Sequence, residues 1–82
     1  MFNVYVLKSK KIGRYYIGYS HNVLERLKYH NIGRIKSTKA YIPYKLVYTS
    51  AFKSRGEAMK YEKKLKKMKC NGRFRKLVSM PR

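Results

Sequence analysis

Phe2-Asn3-Val4-Tyr5-Val6-Leu7-Lys8, the loop Ser9-Lys10-Lys11-Ile12-Gly13, and Arg14-Tyr15-Tyr16-Ile17-Gly18-Tyr19 open the chain. Both flanking runs are β-branched and aromatic, and the loop ends on glycine, which predicts a β-hairpin. Working outward, Asn22 stands three residues before Glu25, a capping-box-like start. Val23, Leu24 and Leu27 follow it, and the exit Asn31-Ile32-Gly33 suits a helix over roughly 22 to 31. Residues 33 to 43 carry Gly, Ser, Thr, three cations and Pro43 without period, which predicts a mobile basic loop. Tyr44 to Phe52 is strand-like again and can join the hairpin as a third antiparallel strand. Ser54-Arg55-Gly56-Glu57 is a second capping box, and Ala58, Tyr61, Leu65 and Met68 then recur at steps of 3, 4 and 3, the best helix signal present. Cys70-Asn71-Gly72 should end that helix, with a last short helical turn over Arg73 to Val78. The order β-β-α-β-α(-α) is that of an α+β fold, a three-stranded antiparallel sheet flanked by helices, in one domain over residues 1–82.

Charge narrows the function. Lys+Arg number 22 and Asp+Glu 3, a formal net charge of +19 in 82 residues. All three acids are glutamates (Glu25, Glu57, Glu62), too few for a protein-ligated two-metal centre or a paired-carboxylate glycosidase. One cysteine, Cys70, allows neither an internal disulfide nor a Cys-rich zinc site, and no stretch of about 18 apolar residues is present. A soluble, reducing, cytoplasmic setting is expected. So dense a positive field selects polyanions, nucleic acid first. A membrane surface is the weaker rival, because the charge runs along the whole chain and Trp is absent. Lys10, Lys11, Arg14, Arg34, Lys36, Lys39, Lys66 and Arg73, from four basic runs, are the candidate phosphate contacts.

A smaller set can carry chemistry. Arg26 and His30 are four apart, hence on one helix face. Glu62 borders the apolar stripe of the second helix, and antiparallel pairing can bring Tyr5 near Tyr16. Phosphodiester hydrolysis needs stabilised phosphorane oxygens, an activated water and a stabilised leaving oxygen. With one carboxylate to offer, the economical arrangement is one Mg²⁺ held by Glu62 and otherwise by water and substrate. Arg26 supplies a bidentate fork. A Tyr, ordinarily titrating near ~10, or His30, near ~6.5, would take the proton, and a positive site should pull both downward. Each residue also has a plain reading alone: Tyr5 and Tyr16 as strand packing, Arg26 as a solvated cation, His30 as a helix-end cation, Glu62 as an i,i+4 partner of Lys66.

Val4-Tyr5-Val6-Leu7, Tyr15-Tyr16-Ile17-Gly18 with Tyr16 eleven positions after Tyr5, Arg26-Leu27, His30, Glu57-Ala58 and Glu62 together resemble the GIY-YIG nuclease superfamily. The likeness runs from about residue 3 to 75 and is closest to small stand-alone members, similar to the N-terminal nuclease module of UvrC proteins and to Slx-type nucleases. The resemblance implies a divalent-metal-dependent endonuclease, using one Mg²⁺ or Mn²⁺ and no small-molecule cofactor, that cuts DNA, branched or damaged, in repair or recombination. It assigns Tyr5 and Tyr16 to orienting or deprotonating the water, Arg26 to the phosphate, His30 to its neighbourhood, Glu62 to the metal, and Gly18 to close backbone packing. Which of Tyr5, Tyr16 and His30 is the base stays open. Asn3-Val4-Tyr5 replaces Gly-Ile-Tyr, and no asparagine stands at the usual place in the last segment, Asn71 being early. Characterised family enzymes usually carry an extra DNA-binding or partner domain, so a partner protein has a place. The competing class is a non-catalytic basic nucleic-acid-binding module on the same fold.

Overall fold

A computed structural model describes residues 1–36, 38–69 and 74. The sheet is β1 (Phe2–Ser9), β2 (Tyr15–Ser20) and β3 (Tyr44–Phe52), all antiparallel, in the order β2-β1-β3. Among the described residues it is accompanied by the helices α1 (Val23–Asn31) and α2 (Arg55–Met68). The expected α+β architecture is present, with β1 in the middle. The last turn expected over Arg73 to Val78, with Arg73 itself, and Cys70 and Asn71, fall outside the described residues apart from Phe74.

The central position of β1 explains its sequence. Val4 to Leu7 are all buried and read as one apolar run, because both faces of this strand are covered. Val4 and Val6 join Ile17, Phe74 and the α2 residues Ala58 and Leu65 in one cluster. Tyr5 and Leu7 join Tyr44 in another, against which Val23 and Leu27 of α1 pack. One helix therefore covers each face, and β2 is left as an edge. Between β1 and β3 the register slips at Val6/Leu7, where Val6 faces Tyr48 and Leu7 faces Leu46. Such a bulge leaves Val47 as the extra residue in β3.

The helices start as their sequences predict. The Asn22 side chain accepts from the Glu25 amide at 3.1 Å, and the Ser54 side chain from the Glu57 amide at 3.2 Å. At the far end of α1, Asn31 clamps the first residue of β3: its Oδ1 accepts from Tyr44 N at 2.6 Å and its Nδ2 donates to Tyr44 O at 3.1 Å. That clamp ties α1 to the sheet and so fixes where Arg26 and His30 stand.

The segment expected to be a mobile basic loop is organised where it is described. Lys39–Tyr41 form a 3-10 turn, and Thr38 is 1% exposed. The reason is a polar tertiary contact that periodicity cannot register: the Thr38 hydroxyl meets the buried imidazole of His30.

Candidate active site

Antiparallel pairing sets Tyr5 opposite Gly18 and Leu7 opposite Tyr16, so the two tyrosines are diagonal neighbours on one face. Their ring centroids are 6.3 Å apart. Gly18 makes this geometry possible, since a Cβ there would lie 2.8 Å from Tyr5 Oη and 2.9 Å from its Cζ. The Tyr5 ring thus lies over the glycine towards the edge strand. Arg26 reaches the same edge from α1, and Glu62 and Arg55 reach it from α2. With Tyr5, Tyr16, Gly18 and Tyr19 they line a cavity of about 320 Å³.

Four of the five residues singled out by chemistry, Tyr5, Tyr16, Arg26 and Glu62, therefore share one cavity wall. His30 stands behind it. It is fully buried and contacts Tyr5 rather than the open space, with Tyr5 Oη 3.2 Å from His30 Nε2. On the other side, His30 Nδ1 lies 2.8 Å from Thr38 Oγ1, whose hydroxyl donates to the Ile35 carbonyl at 3.3 Å. A carbonyl only accepts, so the Thr38 proton is spent there and His30 Nδ1–H donates to Thr38. Nε2 is then the bare acceptor, and the Tyr5 hydroxyl donates to it. The imidazole is locked in one tautomer by a loop residue.

Burial, more than the positive surroundings, controls the titrations here. The Tyr5 hydroxyl is pushed up to about 12 by desolvation and by Tyr16, with Arg26 pulling the other way. The expected downward shift is thus overturned for Tyr5, because its ring sits in the core. His30 moves down as expected, to about 4, through burial first and Arg26 second. It stays neutral when folded over a range in which an unfolded imidazole, near ~6.5, takes up a proton. Between those values the unfolded state binds more protons, so stability should fall as pH drops from about 6.5 towards 4, by up to about 1.4 kcal/mol per pH unit. Thermal melts at constant ionic strength check this. A flat melting temperature across that window, or an equal slope in His30→Gln, would contradict it.

Glu62 is half-buried, and its Oε1 pairs with Lys66 Nζ at 3.1 Å. Among the described residues no three His, Cys, Asp or Glu converge, so a site at Glu62 would offer one protein carboxylate. That donor set fits a hard cation that keeps several waters and binds along with substrate phosphate, as Mg²⁺ does, and does not fit the closed nitrogen and sulfur cage of structural zinc.

The candidate phosphate contacts are spread more widely. Lys10 and Lys11 are exposed in the turn between β1 and β2, and Lys36 and Lys39 are exposed ahead of β3. The Arg34 guanidinium lies 5.6 Å from the Tyr29 ring centroid, away from the cavity wall. Arg14 and Lys66 line a neighbouring cavity that also includes Tyr16. Sequence reasoning missed three contributors. Arg55 and Tyr19 line the site, and Thr38 orients His30. Arg55 was hidden inside a capping motif among many cations, and Thr38 inside a stretch without period.

The family profile of the GIY-YIG catalytic domain matches residues 1–75, and the chain belongs to that family, one of nucleases that act on DNA and generally use a divalent metal. Its relatives are small proteins named UPF0213. The one from Streptococcus pneumoniae is 45% identical over 67 residues, covering 80% of this chain and 67% of the relative. The one from Halobacterium salinarum is 38% identical, covering 83% and 88% respectively. The chain thus spans about two thirds of the streptococcal protein's length. The solution NMR structure of the UPF0213 protein BH0048 from Bacillus halodurans is 38% identical, covers 93% of this chain and 79% of that one, and superposes with a TM-score of 0.47. Among the described residues no helix is long and apolar enough to cross a membrane.

Proposed function

We propose that this protein is a divalent-metal-dependent endonuclease hydrolysing DNA phosphodiester bonds, in a cytoplasmic repair or recombination setting, with branched or damaged DNA as its substrate. What supports this reading is the convergence of Arg26, from one helix, and Glu62, from the other, on the cavity that Tyr5 and Tyr16 wall. The scissile phosphate binds Arg26, whose planar fork matches two non-bridging oxygens and stabilises the charge that grows on them. Glu62 would hold one Mg²⁺ or Mn²⁺ together with water and substrate, and the ion would supply further charge stabilisation to the hydrolysis.

Tyr5 orients the attacking water. Its own proton is committed to His30, so its oxygen presents lone pairs to the cavity and accepts from the water in a fixed direction. With its pKa near 12 it is not a standing phenolate, and His30, near 4, is too weak a base to hold a proton at neutral pH. That leaves Tyr16, half-exposed at the wall, as the phenol through which the proton passes: its oxygen takes the water's proton as the new O–P bond forms, and its own hydroxyl proton goes to the leaving oxygen as the ester P–O bond breaks.

Incubating the full chain with single-stranded, duplex, nicked and flapped DNA, with Mg²⁺ or Mn²⁺ and then with EDTA, tests the reading. Metal-dependent cleavage of at least one substrate is expected. Salt-sensitive binding with no cleavage under any metal condition would instead identify a non-catalytic binding module.

A further inference from the structure

The candidate catalytic cavity is the middle one of three. Tyr16 is shared between it and a cavity of about 500 Å³ that also takes in Arg14, Tyr15, Tyr41, Lys66 and Lys69. Tyr19 is shared with a cavity of about 410 Å³ on the other side, lined by Phe2, Ser20, His21, Arg26 and Arg55. The three follow β2 in order, from Tyr15 at one end to Ser20 at the other. A tyrosine marks each boundary.

The two outer basins have matching chemistry. Neither is lined by a carboxylate among the described residues, whereas the middle one holds Glu62. Each presents cations beside flat rings. In the first, the Arg14 guanidinium lies 5.2 Å from the centroid of the Tyr41 ring. In the other, Phe2 and the exposed His21 form a ring pair with centroids 4.0 Å apart, flanked by Arg26 and Arg55. Cations beside aromatic rings suit a unit that is anionic on one side and planar on the other, which describes a nucleotide.

We infer that the substrate is a polynucleotide strand laid along β2, with the scissile phosphate in the middle cavity and the nucleotides on either side of the cut stacked, unpaired, in the two outer basins. This rests on the reading of the middle cavity as a phosphodiester site. The outer basins account for Arg14, His21 and Arg55, and they place the cut where the bases are splayed rather than inside a closed duplex.

Binding without turnover tests the inference separately from that reading. In EDTA, fluorescence anisotropy would compare a short oligothymidylate with an abasic oligomer carrying the same phosphates. The base-bearing strand should bind roughly tenfold more tightly, as base-on-ring stacking predicts. His21→Ala, at an exposed position, should shrink that preference several-fold. Arg14→Gln should weaken both oligomers and flatten the salt dependence. Equal affinity for the two oligomers, a preference indifferent to His21→Ala, or fully paired duplex cut as fast as an unpaired strand would each overturn the trough. A base preference in a chain that never cuts would keep the trough and remove the hydrolytic reading; cleavage without any base preference would do the reverse.

Discussion

Arg26→Lys should lower single-turnover cleavage by about 10²- to 10³-fold while changing DNA affinity only a few-fold. Removing one preorganised donor from a transition-state charge costs about that much. Lysine keeps the charge and loses the planar fork, so the loss would report geometry rather than field. Affinity is spared because it is spread over many cations, of which Arg26 is one among 22 Lys and Arg residues. Glu62→Gln should reduce the rate at least as far, and its sign on binding is opposite. The glutamate holds Lys66 at 3.1 Å, so its neutralisation frees a cation and removes a negative charge from the cavity, and DNA should bind slightly more tightly. Rapid-quench rates at saturating protein, paired with anisotropy in EDTA, separate these effects. Wild-type rates in Glu62→Gln would remove the metal assignment, and a tenfold or greater loss of affinity in Arg26→Lys would make that residue a binding group first.

What could be read in advance was what is decided locally or by pattern. The capping pairs Asn22 with Glu25 and Ser54 with Glu57 are contacts three residues apart, and both helices begin where those pairs predict. The strands were legible because β-branched and aromatic residues cluster between turn residues. The ordered set of Tyr5, Tyr16, Arg26, His30 and Glu62 pointed to one cleft, and all of them but His30 line one cavity. The illegible part is what distant residues do to each other. Tyr5 looked like a group that a positive site would acidify, yet burial in the middle of the sheet outweighs Arg26 and raises it. Thr38 looked like loop filler, and its role depends on α1 delivering His30 to it. His30 looked like a neutral imidazole open to the cleft, and it is sealed behind the tyrosine it orients. Each miss has one cause: electrostatic environment follows from burial, and burial follows from tertiary packing.

Gly18→Ala carries the largest expected effect of a single added methyl group. The new Cβ would meet Tyr5 Oη at 2.8 Å, Tyr5 Cζ at 2.9 Å and Tyr16 Cε1 at 3.3 Å, all closer than ordinary van der Waals contact. A flexible side chain would swing aside, but the Tyr5 ring is 1% exposed in the central strand and bonded at Oη to His30. Shifting it breaks that bond and leaves the imidazole, still held at Nδ1 by Thr38, without its second partner. Overpacking of this kind costs about 1–3 kcal/mol. Because the same shift displaces the group that orients the water, cleavage should fall by about 10²-fold as well, the penalty for a misplacement near 1 Å. The double variant Gly18→Ala/Tyr5→Phe isolates the cause. Deleting Oη removes the closest contact, so the alanine should be less destabilising in the Phe background than alone, a non-additivity of at least about 0.5 kcal/mol. Denaturant midpoints and single-turnover rates on the four proteins of that cycle provide the check. Additive stabilities, or Gly18→Ala cutting at the wild-type rate, would mean that the Tyr5 ring does not lie over the glycine as described.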